Sequence, residues 1–340
     1  MHSHSRKAKS IVAIVGAESL LGKEIREVIE GSKLNVAVKL IGPADAEDAS
    51  ILTRGRDEPL VMPSLQAADL SNARVVVLAG SLESNRKAYE HVKKTSSKTL
   101  VIDANGGLED DPETRIRAPI LEPPGYIPGG AIQAIAHPAA IALALFLIRV
   151  QNAAPIRRSV SEVFEPASER GQAGLDELQK QTAGLLSFNP LPKEVFDAQV
   201  SFNMLPQYGS DSIHSLDEIE LRISRHLASL LAAAGSAPIP SLRVIQAPVF
   251  HGYSISSWVE FENRPDHPAI VKALASEGID VRNKNVEPPT NVGVAGQSGI
   301  TVGAIAPDRN DLKAGWFWIV ADNLRIVADN VLEVARAVLE

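Results

Sequence analysis

The residues able to do chemistry in this chain are few, and one group stands out. Gly16-Ala17-Glu18-Ser19-Leu20-Leu21-Gly22 follows a β-branched run and opens a helical pattern. At such a junction, backbone N–H groups and the positive end of a helix dipole can meet the pyrophosphate of a dinucleotide. Ser19 stands where the fingerprint has its middle glycine, and its Cβ restricts close approach; Glu18 adds a negative charge. The loop therefore reads either as a phosphate cradle or as a tight strand-to-helix turn. As a cradle, its cofactor-binding residues are Gly16, Ala17, Ser19, Leu20, Leu21 and Gly22, with Gly80 and Asn323 farther along the chain. After the second strand, Gly42-Pro43-Ala44-Asp45 offers no Arg or Lys to a 2′-phosphate. This favours NAD over NADP, with Asp45 facing the ribose. The chain contains no cysteine, which excludes disulfides, Cys-ligated metals and thiolate nucleophiles.

The elements that must position these residues follow from periodicity. Ile11–Val15, Val36–Ile41, Arg74–Leu78 and Thr99–Ile102 are short apolar runs. Helical patterns over Leu20–Ile29 and Glu83–Lys94 separate them, which indicates a parallel sheet covered on both faces. Beyond residue 150, strands are expected at Ser159–Phe164, Gln199–Leu205, Arg243–Phe250 and Ser254–Phe261, with helices at Gly174–Leu186 and Leu216–Ala234. Ala139–Ile148 reads as a buried helix, too short for a bilayer core. Ala321–Leu339 reads as an amphipathic helix, and Leu121–Gly130 and Ala234–Pro240 as linkers. With 34 Lys+Arg against 41 Asp+Glu in 340 residues, the net charge is −7. That argues against nucleic acid or an anionic membrane as partner. The expected placement is cytoplasmic, with residues 1–10, including His2 and His4, a flexible polar leader.

Several segments in shared order resemble the aspartate-semialdehyde dehydrogenase family, from Ile11 to Glu340. They are the Gly16–Gly22 turn, Val101-Ile102-Asp103, Ser168 with Gly171-Gln172-Ala173-Gly174-Leu175-Asp176-Glu177-Leu178, and Phe202-Asn203-Met204-Leu205-Pro206. Pro248-Val249-Phe250 with Gly252 and Ser254, and Trp318-Ile319-Val320-Ala321-Asp322-Asn323-Leu324-Arg325, complete the set. The resemblance implies α/β plus α+β architecture. A Rossmann-like dinucleotide domain (11–137 with 321–340) would be completed by the C-terminal helix, and a mixed-sheet dimerisation domain would span 138–320. It also implies a homodimer and an NADP-dependent oxidation of an aldehyde through a cysteine thioester, released by phosphate.

The chain departs from that pattern where the chemistry is done. The resemblance puts Ala140 in the nucleophile's place, Tyr253 in that of the general acid/base and Glu165 in that of the substrate-orienting glutamine. Gln246 and Glu109 fall on two arginine positions and Glu220 on a lysine position. Two cations become anions, one cation becomes neutral and one neutral group becomes an anion. The sum is −2 −2 −1 −1, about six units more negative, a site expected to repel phosphate and carboxylates. His137 and His251 are expected to be structural. The resulting expectation is a non-catalytic, homodimeric homologue of the Usg-type branch, with an unknown protein partner. Against it stand an oxidoreductase of altered chemistry that binds NAD or NADP and uses Tyr253 as proton donor, and a cation site at Glu109, Glu165 and Glu220. No transition-metal site is expected.

Overall fold

The computed structural model describes residues 9–340 except 45–49, 55–57, 66–67, 69, 71, 96–98, 127–128, 236 and 284. The leader histidines His2 and His4, and Asp45, lie outside the described residues. The chain divides into two compact units. Unit 1 comprises residues 1–119, 123–135 and 327–340, and unit 2 comprises residues 120–122 and 136–326.

In unit 1, β1 (Ser10–Val15), β2 (Val36–Ile41), β5 (Ala73–Leu78), β6 (Leu100–Asp103), β7 (Thr114–Arg117) and β8 (Ile132–Ile135) form one sheet. Its order is β2-β1-β5-β6-β8-β7, and every pairing is parallel. β3 (Ser50–Arg54) and β4 (Glu58–Met62) form a separate antiparallel pair. The central strands β1 and β5 read IVAIV and VVVL because both their faces are covered; Val12–Val15 and Val75–Leu78 are fully buried. Helices α1 (Leu20–Gly31) and α2 (Leu82–Thr95) follow β1 and β5. The apolar positions of α1, Leu21, Ile25, Val28 and Ile29, make its buried face. The strand order reverses beside β1, which is where open α/β sheets bind nucleotides.

Unit 2 holds the second sheet, β10-β9-β11-β14-β13-β12. Its strands are β9 (Ile156–Glu165), β10 (Ser241–Gln246), β11 (Tyr253–Phe261), β12 (Ile279–Val281), β13 (Ile300–Pro307) and β14 (Ala314–Ala321). β9, β11, β14 and β13 pair antiparallel, while β10 and β12 join the edges in parallel. α3 (Pro138–Ala153) packs on β9 and β14 and against α5 (Leu216–Ala234) and α6 (His267–Leu274); α4 (Gly171–Leu186) follows β9. Every residue from Ala139 to Leu147 is essentially inaccessible, so α3 is apolar all round because it is surrounded. Among the described residues no helix is long and apolar enough to cross a membrane.

Three expected elements differ. Gln199–Leu205 is a loop rather than a strand. The N–H groups of Val200 and Ser201 donate to the side chain of Gln181 instead of a ladder, and Phe202 has φ 62°. Only Leu205 makes a bridge, to Gln246. The strand expected over Arg243–Phe250 stops at Gln246. Pro248 has no N–H to give, and the carbonyls of Val249 and Phe250 turn to the N–H groups of Ala167 and Ser168. The last helix, α7 (Asn323–Leu339), begins two residues late because Asp322 caps it through Leu324 and Arg325 N–H, while Ala321 ends β14.

Candidate functional site

In unit 1, the turn after β1 is built by close approach. Gly16 has φ 77°, and a Cβ there would lie 2.5 Å from the backbone nitrogen of Gly80; one on Gly22 would lie 2.3 Å from the Gly16 carbonyl. Neither position admits a side chain. Ser19 is the N-cap of α1: its Oγ accepts from Gly22 N–H at 2.8 Å and donates to the Ala79 carbonyl at 2.8 Å. The N–H groups of Gly16 and Ala17 donate to Ile41 O, and that of Ser19 to Gly16 O. Gly80 N–H donates to Asn85 Oδ1, whose amide in turn donates to Asp103 and Gly106. The first-turn N–H groups of α1, those of Leu20 and Leu21 among them, are the ones a helix leaves without intrahelical partners.

In unit 2, three of the positions singled out in the sequence meet. Glu165 ends β9, Gln246 ends β10 and Tyr253 begins β11. Gln246 pairs with Glu165 across the parallel ladder, and the three side chains share one strand-end face. All three are fully buried. Glu165 Oε1 accepts from Arg170 Nη2 at 2.8 Å and lies 3.2 Å from the Tyr208 hydroxyl; Oε2 faces the Tyr253 hydroxyl at 3.5 Å. The amide of Gln246 is fixed by its Nε2, which donates to the carbonyls of Glu165 and Ala247, so its Oε1 accepts from Tyr208 at 2.7 Å. The single Tyr208 proton is shared between the two acceptors, with Gln246 the nearer.

A second layer lies against the first. Asn323 is buried, and its Oδ1 accepts from Gly252 N–H at 2.9 Å. Its Nδ2 donates to Glu169 Oε1 at 2.8 Å and to Ser168 Oγ at 3.0 Å. The amide expected to contact a dinucleotide is therefore engaged within unit 2. His137 caps α3 by accepting from Ala139 N–H at Nδ1, leaving its proton on Nε2, 3.9 Å from Glu169 Oε2. Its ring centroid is 5.9 Å from that of Tyr253, and its own backbone N–H donates to His226 Nδ1. Ala140, 0 % exposed, follows in the first turn of α3.

Burial, then nearby charge, sets the protonation states. Burial pushes the phenols of Tyr208 and Tyr253 up, and the neighbouring carboxylates push them further, so both remain donors. A phenol so placed is a poorer proton shuttle than its ordinary value implies. Burial and the charge of Arg222 hold His137 well below the usual histidine range, so its approach to Glu169 is not an ion pair. Burial and the repulsion of Glu165 push Glu169 up to about 7, against the pull of Arg170 and the Asn323 hydrogen bond.

Within unit 2, Arg170 answers the charge of Glu165, and Glu220 accepts from Val244 N–H on β10 at 2.9 Å; Glu109 belongs to unit 1. Glu109, Glu165 and Glu220 form no cation site; among the described residues no group of three His, Cys, Asp or Glu is placed to hold a metal ion. Glu169, Arg170 and Tyr208 were not singled out by the sequence. The signal for the first two was a charged pair, Glu169-Arg170, inserted between Ser168 and Gly171 at a strand exit. Tyr208 carried none, because only the tertiary path of its loop brings it to Glu165.

Unit 2 also presents an open sheet face opposite α3. Its residues are Val160, Glu162 and Phe164 of β9, Ser256 and Trp258 of β11, and Trp316 and Trp318 of β14. Trp258 stands directly opposite Trp316, and both indole N–H groups donate to Asp308 Oδ2, at 3.0 and 2.8 Å. Val160 and Trp316 are each 44 % exposed. A sheet face in contact with water alternates to polar residues; this one is aromatic.

Residues 148–326 match the semialdehyde dehydrogenase dimerisation domain. The chain is 28 % identical over 331 residues to a USG-1 protein homolog of Azotobacter vinelandii, covering 92 % of this chain and 93 % of that one. It is 26 % identical over 342 residues to the aspartate-semialdehyde dehydrogenase of Rickettsia conorii, covering 96 % and 97 %. The crystal structure of aspartate semialdehyde dehydrogenase II of Vibrio cholerae, complexed with ASA, has the same fold. Its TM-score is 0.83 at 22 % identity, covering 97 % of this chain and 98 % of that one.

Proposed function

The chain belongs to the semialdehyde dehydrogenase family, and from that premise we propose that it is a homodimeric member of the Usg-type branch that does not carry out thioester-mediated aldehyde oxidation. The observation that carries this reading is Ala140. The place that the resemblance gives to the attacking thiol holds a buried methyl group, in a chain with no cysteine. A methyl group forms no covalent adduct, so the split into two easier steps that makes the chemistry possible is lost. The closing of Glu165, Arg170, Tyr208, Gln246 and Tyr253 on one another supports the same reading, since the bonds they make go to each other. Purified protein incubated with aspartate semialdehyde, phosphate and NADP should give no reduced dinucleotide above background; steady turnover overturns the proposal.

Dimerisation is supported by the aromatic face of β9, β11 and β14. A patch of this kind on a domain of a dimerising family is the expected core of an isologous interface. Binding of NAD or NADP in unit 1 is supported by the glycine turn and the N-terminus of α1. The residues there fit a pyrophosphate through backbone N–H groups alone, and the group would supply hydride transfer where a substrate met it. A rise in melting temperature with either dinucleotide tests this, because a ligand of the native state must stabilise it; no rise at saturation refutes it.

A further inference from the structure

We infer that Arg170, Tyr208 and Tyr253 constitute a carboxylate-recognition site whose ligand is the chain's own Glu165, and that the same site takes a free short-chain monocarboxylate once that side chain is removed. Three donors, a guanidinium and two phenol hydroxyls, converge on one carboxylate that has no exposure to solvent. This is the donor set by which a protein holds a carboxylate-bearing small molecule.

The fit is incomplete in a telling way. Arg170 is nine-tenths buried and gives Glu165 a single bond from Nη2, at 2.8 Å, while its Nε is buried with no hydrogen-bond partner. A carboxylate that faces the Nε–Nη2 edge squarely takes two parallel bonds from it. Glu165 is tethered at the last position of β9, where its backbone is committed to the pairing with Gln246, and it reaches only one of the two donors. An untethered carboxylate of the same size has no such restraint and can satisfy both. Glu165 is thus an adequate occupant rather than an ideal one, held there because it is covalently present at very high effective concentration.

The inference deepens the proposal of a non-catalytic homologue and rests on it in one respect, that the cluster holds a carboxylate and does not turn one over. The test reads stability and not turnover, so either can fail alone. In full-length Glu165→Ala, propionate should raise Tm with the logarithm of its concentration, by about 2 °C at ten times its Kd. Propionamide or chloride at matched ionic strength should not, and neither should propionate added to the wild type or to Glu165→Ala/Arg170→Met. No propionate-specific gain, an equal gain with propionamide, or a gain that survives loss of Arg170 overturns the inference. If Glu165→Ala does not fold without propionate, recovery of soluble protein in propionate but not propionamide supports it. If it folds in neither, Glu165→Gln, Arg170→Met and their double variant decide. A double variant with a higher urea midpoint than either single one shows that the guanidinium demands a carboxylate partner, and additive losses overturn it.

Discussion

Replacing Glu169 by glutamine removes one ionisable group from the interior and leaves its main contact in place, because the amide oxygen can accept from Asn323 Nδ2 as the carboxylate does at 2.8 Å. The groups facing Glu169 are Glu165, Arg170, Arg222, His137 and Asn323. Burial and Glu165 move its pKa from 4.5 to about 7. The folded chain therefore binds this proton more tightly than the unfolded chain. Below pH 4.5 both states are protonated and the group costs nothing. Between 4.5 and 7 the native state holds the extra proton, so stability falls as pH rises; above 7 the whole penalty is in place. A shift of this size corresponds to about 3 kcal/mol at pH 8. His137 and His214 act in the opposite sense, since burial lowers both, His214 to about 4, and they destabilise the fold as pH falls below 6.5. The raw profile of the wild type superposes the two effects, and the difference between wild type and Glu169→Gln isolates the first. Urea unfolding followed by circular dichroism from pH 4.5 to 8.5 should show Glu169→Gln gaining on the wild type by about 3 kcal/mol across that range. Parallel curves, within about 0.5 kcal/mol of each other throughout, would refute the assignment of a raised carboxyl to this position.

Three further outcomes are expected. Trp316→Glu places a charge in the aromatic face and should convert a dimer to a monomer by analytical ultracentrifugation. The three tryptophans of the chain, Trp258, Trp316 and Trp318, all lie on that face, so the emission of the two that remain should shift to the red as well; an unchanged dimer removes this face as the interface. Gly16→Ala forces a methyl group to within 2.5 Å of the Gly80 backbone at a positive φ. It should cost about 3 kcal/mol in urea unfolding, and a loss below about 0.5 kcal/mol would contradict the packing described for the turn. Asp322→Ala removes the cap of α7 at Leu324 and Arg325 together with the bond its Oδ2 accepts from Gly296 N–H at 2.8 Å. The expected loss is about 1–2 kcal/mol, read from the same denaturation curves, and an unchanged midpoint would count against the cap.

Local patterning was sufficient for much of the fold, because the short apolar strands and the helices of unit 1 announce themselves through burial on both faces and through helical spacing. The sequence was also sufficient to show that no thiol is present, while the places given to Ala140, Glu165, Gln246 and Tyr253 came from the resemblance alone. β3, β4, β7, β8, β12, β13 and β14 escaped local patterning. β14 pairs with β11 far back in the chain as well as with its neighbour β13, and Trp316 and Trp318 look like neither a core nor a solvent face until the register is known. The site divides in the same way. That Glu165, Gln246 and Tyr253 sit at adjacent strand ends follows from a pairing order in which β10 and β11 flank β9, which no local preference encodes. That a carboxylate read as an added repulsive charge is in fact neutralised depended on Arg170, five residues away along the chain and 2.8 Å away in space. Charge is a property of each residue and can be summed from the sequence. Whether two charges oppose or answer each other depends on distance and on exclusion of water, and those are set only when the strands have paired and the helices have closed over them.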